Sequence, residues 1–251
     1  MSALTADVVL AAFLIFCRIG GCMMVAPGLS SPRVPNQVRL FLALALSLAL
    51  TPMLVDDMMP AVAGADPALI LERIVFETFT GVLIGFLGRL FLLALQTFGI
   101  VIAQSIGFGA LPGVPYDGED AAPTLSSVLT VAATAMIFIT DLHWELIRGL
   151  VASYAAMPVD QPITARFALM AYGDQIAAVF AIVLRISSPF IIYSMLINLA
   201  MGLVNKLTPT LPVYFVLTPV VMAGGMILLM LTYQEFMTAF ISAFGDWLVS
   251  G

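Results

Sequence analysis

Six apolar stretches, near residues 8–27, 38–55, 76–106, 125–142, 174–204 and 213–244, constrain this chain more than any other feature. A helix of about 20 apolar residues crosses the hydrocarbon of a bilayer, and every stretch reaches or approaches that length. The segments between them, 27–37, 56–67, 107–123, 153–167 and 205–212, carry Pro, Gly and acids and are too short to be soluble domains. Composition agrees. The chain is 62% hydrophobic and 10% charged, where a soluble domain carries about 25% charged residues, and its mean hydropathy is +1.11. Such an apolar excess needs a bilayer or a large subunit interface rather than one globular core. The expectation is an all-α integral membrane protein. It is a single domain over residues 1–251, with about six long helical segments, several of them broken, and no fixed-period repeat.

The net charge of −6 and the lack of a basic run exclude nucleic acid as a partner. Asp7 is the only charge ahead of the first apolar run, and "LIFC" is a poor cleavage site, so that segment is expected to be retained. Cys17 and Cys22 lie five apart, on different faces of a helix, and serve as apolar fillers rather than a bridge.

Charges in the connections do not orient the spans. Arg33, Arg39 and Lys206 fall on one side of a simple threading, and Arg73, Arg148 and Arg166 on the other. Arg18, Arg89 and Arg185 sit inside apolar segments, as does Glu235. A charge at mid-bilayer costs about 2.5–3.5 kcal/mol on insertion scales, so these four are expected to be buried charges. They either satisfy carbonyls and acids inside a bundle or line an aqueous path or subunit contact. Gly81, Gly85 and Gly88 place small residues on the third segment, continued by Gly99 and Gly107. Close helix approach follows, read here as packing between subunits, with packing inside the chain as the alternative.

Catalytic and cofactor signatures are missing. "GFGALPG" (107–113) follows a helix and lacks the Lys-Ser/Thr of a phosphate loop. His143 is the only histidine, beside Asp141, Trp144 and Glu145, and reads as an interfacial anchor. Asp117, Glu119 and Asp120 lack calcium-loop spacing and read as a solvated loop. No catalytic, cofactor or metal residues are assigned. Pro189 and Pro219 are expected to break the fifth and sixth segments, which keeps a small-solute or ion transporter as the rival reading.

The block "NLAMGLVNKLTPTLPVYFV" (198–216) holds Lys206, the only lysine. At helical spacing Asn198, Gly202, Asn205, Lys206 and Pro209 share one face. That strip is either a helix end emerging at the interface or a surface facing a neighbouring subunit or aqueous passage.

Several blocks, in order, carry a resemblance. They are "RIGGCMMVAPGLSSPRVPNQVRLFLALALSLALTP" (18–52), "ETFTGVLIGFLGRL" (77–90), "GIVIAQSIGFG" (99–109), "DLHWELIRGLVASYAAMP" (141–158) and "SPFIIYSMLINLAMGLVNKLTPTLPVYFVLTPV" (188–220). Together they resemble the FliR family of flagellar biosynthetic proteins and its counterparts in type III secretion injectisomes. The last block, an N-x-x-x-G-x-x-N-[KR]-x-x-P string before an aromatic-containing segment, is the most specific. The chain departs from the family in the loop after Gly107, where the acids come as "YDGED", and at "DLH", where His143 is kept without its usual glycine.

The resemblance implies a non-catalytic core subunit of the flagellar type III export gate, without cofactor. It implies a multi-pass protein of the bacterial inner membrane, in the flagellar basal body. FliP and FliQ would form the channel with it, FlhB and FlhA would lie nearby, and unfolded flagellar proteins would be the substrates. Helical hairpins, lifted partly out of the bilayer plane, would build the assembly. The resemblance also places a pore plug at 107–116, with Gly107, Phe108, Leu111 and Val114 facing the gate.

Overall fold

A computed structural model describes residues 2–31, 34–107, 124–159, 165–208 and 213–250. Among these, every regular element is an α-helix: α1 (Ser2–Val25), α2 (Asn36–Val62), α3 (Pro67–Ser105), α4 (Thr124–Ile139), α5 (Leu142–Ala156), α6 (Ala165–Leu207) and α7 (Val213–Ser250). Five helices are long and apolar enough to cross a membrane alone, and α4 and α5 meet the same test only when taken together, as a broken span or a re-entrant loop. The all-α membrane architecture read from the apolar runs is therefore the one observed.

The helix ends differ from the sequence reading in physically instructive ways. α2 runs on to Val62, through Pro52 and Pro60, although the acids at 56–57 suggested a loop. The true connection is short. The Ala63 amide closes on the Met59 carbonyl at 3.0 Å, and Gly64 turns the chain at φ +67°, a conformation glycine adopts without steric cost. Pro67 then opens α3, where its missing N–H costs nothing. The fourth segment divides at Thr140–Asp141. Asp141 adopts φ 59°, a left-handed conformation that a short polar side chain tolerates, and α5 starts afresh. Pro189 and Pro219 were expected to interrupt helices; α6 and α7 instead continue through them. At Pro189 the Ser188 hydroxyl donates to the Arg185 carbonyl at 2.8 Å, supplying the partner that the proline nitrogen cannot.

The chain forms two compact units. The first takes residues 1–90, 141–175 and 248–251. Its core is built on α1, where Ala11, Leu14, Ile15, Ile19, Cys22 and Met23 are buried at helical spacing, with Ala26 buried just past the helix end. Leu54, Met58 and Val62 of α2 and Leu146, Leu150 and Tyr154 of α5 close around them. The three α5 residues stand four apart, so a 15-residue helix gives this core one whole face. Cys22 is buried, Cys17 is partly buried, and both are free thiols, in keeping with their reading as fillers.

The second unit takes residues 91–140 and 176–247. Aromatic rings organise it. Phe98 stacks on Phe236 at 4.7 Å and meets Phe190 edge-on at 6.2 Å, while Phe91 meets Phe244 edge-on at 5.3 Å. These offset and edge arrangements suit the ring quadrupole. α4 lies against α3 where Gly99 faces Ser126, whose hydroxyl donates to the Gln96 carbonyl at 2.9 Å.

Candidate functional site

From Val8 to Val25, α1 carries a single charged side chain, Arg18, which is buried in the core of the first unit. Arg18 and Glu77 are both 0% exposed. The guanidinium holds the carboxylate by two parallel bonds, Nε to Oε2 at 2.6 Å and an Nη2 to Oε1 at 2.7 Å. This fork-to-fork geometry is the strongest form of the pair. The remaining donors reach α5 and its end: Nη1 to the Ser153 hydroxyl at 3.2 Å and Nη2 to the Met157 carbonyl at 2.8 Å. Four of the five guanidinium N–H groups are thus engaged. The Tyr154 ring covers the cation at 4.1 Å, and the Tyr154 hydroxyl donates to the Ile15 carbonyl at 3.4 Å. One arginine therefore ties α1 to α3 and α5, and its charge is cancelled in place. A buried pair of this kind adds little net stability over an apolar replacement, but losing one partner is costly.

The backbone makes room for that pair. A Cβ on Gly81 would strike the Arg18 carbonyl, one on Gly85 would lie 2.6 Å from the Cys22 carbonyl, and one on Gly21 would lie 2.6 Å from the Thr78 carbonyl. Arg18 meets Gly81 and Cys22 meets Gly85, so α1 and α3 run side by side in the same direction with interlocking small residues. Gly81 and Gly85, read as a contact between subunits, serve this packing inside the chain, because α1 supplies the matching Gly21. Gly88 is buried on the same helix.

The other charges in apolar segments differ from Arg18. Arg89 is half-buried and has no ion pair among the described residues. Arg185 and Glu235, expected to be buried, are exposed on the chain, because α6 and α7 turn the faces that carry them away from the aromatic core. His143 starts α5 with its ring 5.6 Å from that of Trp144, which is 56% exposed. This placement suits an interfacial anchor.

The polar strip ends α6. Asn198, Gly202, Asn205 and Lys206 are exposed, and Asn198 donates to the Ser194 hydroxyl at 3.3 Å. Leu199, Leu203 and Leu207 are exposed beside them. Met201 is buried, but residues 202–208 are all exposed within this chain, and Lys206 stands in the last turn of the helix, where a cation complements the helix dipole. Pro209 lies outside the described residues.

Phe108, Leu111 and Val114 also lie outside the described residues. Their anchor does not. α3 closes on Gly107 at φ +83°, its amide bonded to the Gln104 carbonyl at 3.1 Å. Just before it, Ile106 is fully buried and sits where a Cβ on Gly225 of α7 would be.

Glu77, Ser153 and Tyr154 are the residues that sequence reasoning left unassigned. Glu77 carried a usable signal. It is the only acid in the 76–106 apolar run and stands one helical turn before Gly81, just as Arg18 is one turn before Cys22.

Residues 9–247 match a family described as bacterial export proteins, family 1. A protein named flagellar biosynthetic protein FliR from Caulobacter vibrioides is 28% identical over 231 residues, covering 91% of this chain and 90% of that protein. The protein of that name from Escherichia coli is 25% identical over 213 residues, covering 84% and 80%. The one from Bacillus subtilis is 24% identical over 232 residues, covering 89% and 86%.

Proposed function

The chain belongs to the bacterial export proteins, family 1, and from that membership we propose that it is a non-catalytic core subunit of the flagellar type III export gate. The observation that carries the reading is the family match, which runs from the first span to the last on a membrane-embedded all-α chain. On this reading the chain forms, with FliP and FliQ, the channel through which unfolded flagellar proteins cross the bacterial inner membrane, with FlhB and FlhA nearby in the basal body. Its broad apolar exterior supports an assembled state. Large residues such as Phe41, Met53, Leu199, Met230 and Leu231 face outward from the single chain. The continuous paths of α6 and α7 count against the transporter alternative, which calls for discontinuous helices at the binding site.

Isolation from membranes tests the subunit reading. The tagged chain should bring down FliP and FliQ in fixed proportion, and in vesicles by itself it should move no solute or ion. Transport by the chain alone, with no co-isolated subunit, would replace this reading with the transporter.

The plug belongs to the same proposal. Residues 107–116 close the channel when no substrate is present, with Phe108, Leu111 and Val114 facing the gate. Ile106, which packs against Gly225 of α7, leads into that segment. Deleting 108–116 should make the assembled complex conduct ions at least about tenfold above wild type. Unchanged conductance in a fully assembled complex would remove the plug role.

A further inference from the structure

Arg185 of α6 and Glu235 of α7 line one open groove of about 470 Å³ in the second unit, together with Pro189, Thr232, Ala239 and Ser242. Both charged side chains lie within apolar spans, Gln175–Leu207 and Val216–Val249. Arg185 is about 15 Å along its span from Gln175, and Glu235 about 21 Å from Val249, at 1.5 Å per residue. Neither makes an ion pair among the described residues, with each other or with any other group.

Everything else polar in the groove is already satisfied. The Thr232 hydroxyl donates to the Leu228 carbonyl at 2.8 Å and the Ser242 hydroxyl to the Ala239 carbonyl at 3.1 Å. The Arg185 carbonyl accepts from Ser188. One cation and one anion are left over, and apart from the two bonded hydroxyls the rest of the lining is apolar: Ile182, Ile186, Pro189, Phe236 and Ala239. Charges within membrane segments face protein or water rather than lipid, and they pair. A water path would carry more polar lining than this. The charge pattern instead calls for an apolar helix with two complementary charges.

We propose that this groove is the docking surface for a membrane helix of another subunit, one that sets a carboxylate against Arg185 and a Lys or Arg against Glu235. The inference rests on the export-gate reading, because a subunit of an assembly is what supplies such a helix.

Site-specific photo-cross-linking in the intact assembly tests it, with the reactive group at Ala239. The expected adduct is a peptide from another subunit's apolar segment that contains both an acid and a base. An adduct with lipid alone, or with a second copy of this chain, would overturn the proposal. Charge reversal gives the second arm. Arg185→Glu should lower recovery of the assembled complex at least about tenfold at equal chain abundance. Combining it with Glu235→Arg should not restore recovery, whereas reversing the acid in the cross-linked helix should. Restoration by the double exchange within this chain would mean that the two residues serve each other. Wild-type recovery of Arg185→Glu, in cells where loss of the whole chain still stops export, would sink the groove and leave the export-gate reading standing.

Discussion

Replacing Glu77 with leucine is expected to strip most of the folded chain from the membrane. The change leaves the Arg18 guanidinium fully buried with no carboxylate, while its bonds to Ser153 and Met157 remain too few to neutralise it. Breaking one side of a buried pair costs about 3–5 kcal/mol, comparable to much of the total stability of a domain at about 5–15 kcal/mol. Arg18→Met should do similar damage, because it leaves Glu77 as the unpaired charge and empties the space under Tyr154. The double variant Arg18→Met/Glu77→Leu should recover most of the lost protein, since removing both charges also removes the cost of burying them. Chain abundance in membranes and thermal unfolding in detergent measure all three. A Glu77→Leu chain as abundant and as heat-resistant as wild type would show that the pair does not hold α1, α3 and α5 together.

The second large effect belongs to Gly81. Valine there places methyl groups where the Arg18 backbone already lies, and neither helix offers a flexible side chain to move aside. Overpacking of an interior typically costs about 1–3 kcal/mol, and here the displaced atoms belong to a backbone that also positions the Arg18–Glu77 pair. Gly81→Val and Gly85→Val should therefore each lower the unfolding temperature and the membrane abundance. Gly202→Ala provides the contrast, because nothing lies within 4 Å of the added methyl. It should be neutral or slightly stabilising, as expected when an exposed helical glycine gains about 1 kcal/mol of helix propensity. Equal behaviour of Gly81→Val and Gly202→Ala in the same unfolding assay would contradict the close contact between α1 and α3.

The spans were legible because hydrophobic length alone sets them. α1, α3, α6 and α7 fall where the apolar runs lie, although each of the last three extends beyond its run. α5 was not legible. Its sequence, LHWELIRGLVASYAA, is too short for a span and is interrupted by His, Glu, Arg and Ser, so only the buried positions Leu146, Leu150 and Tyr154 reveal it. The small residues at 81 and 85 announced close packing, but a stripe of glycine does not say which helix it meets. Here the partner lies 63 residues earlier, as the pairing of Gly81 with Arg18 shows. The same distance problem hid Glu77, which stands 59 residues from Arg18. Arg185 and Glu235 illustrate the opposite limit. A charge in an apolar run must be matched, but the match belongs to this chain for Arg18, and in our proposal to another subunit for these two.

Export itself tests the central claim most directly. In cells that lack this chain, secretion of unfolded flagellar protein into the medium should cease and return when the wild-type chain is supplied. The Glu77→Leu chain should fail to restore it, and the Arg18→Met/Glu77→Leu chain should restore most of it. Secretion that continues undiminished without the chain would contradict its place in the export gate.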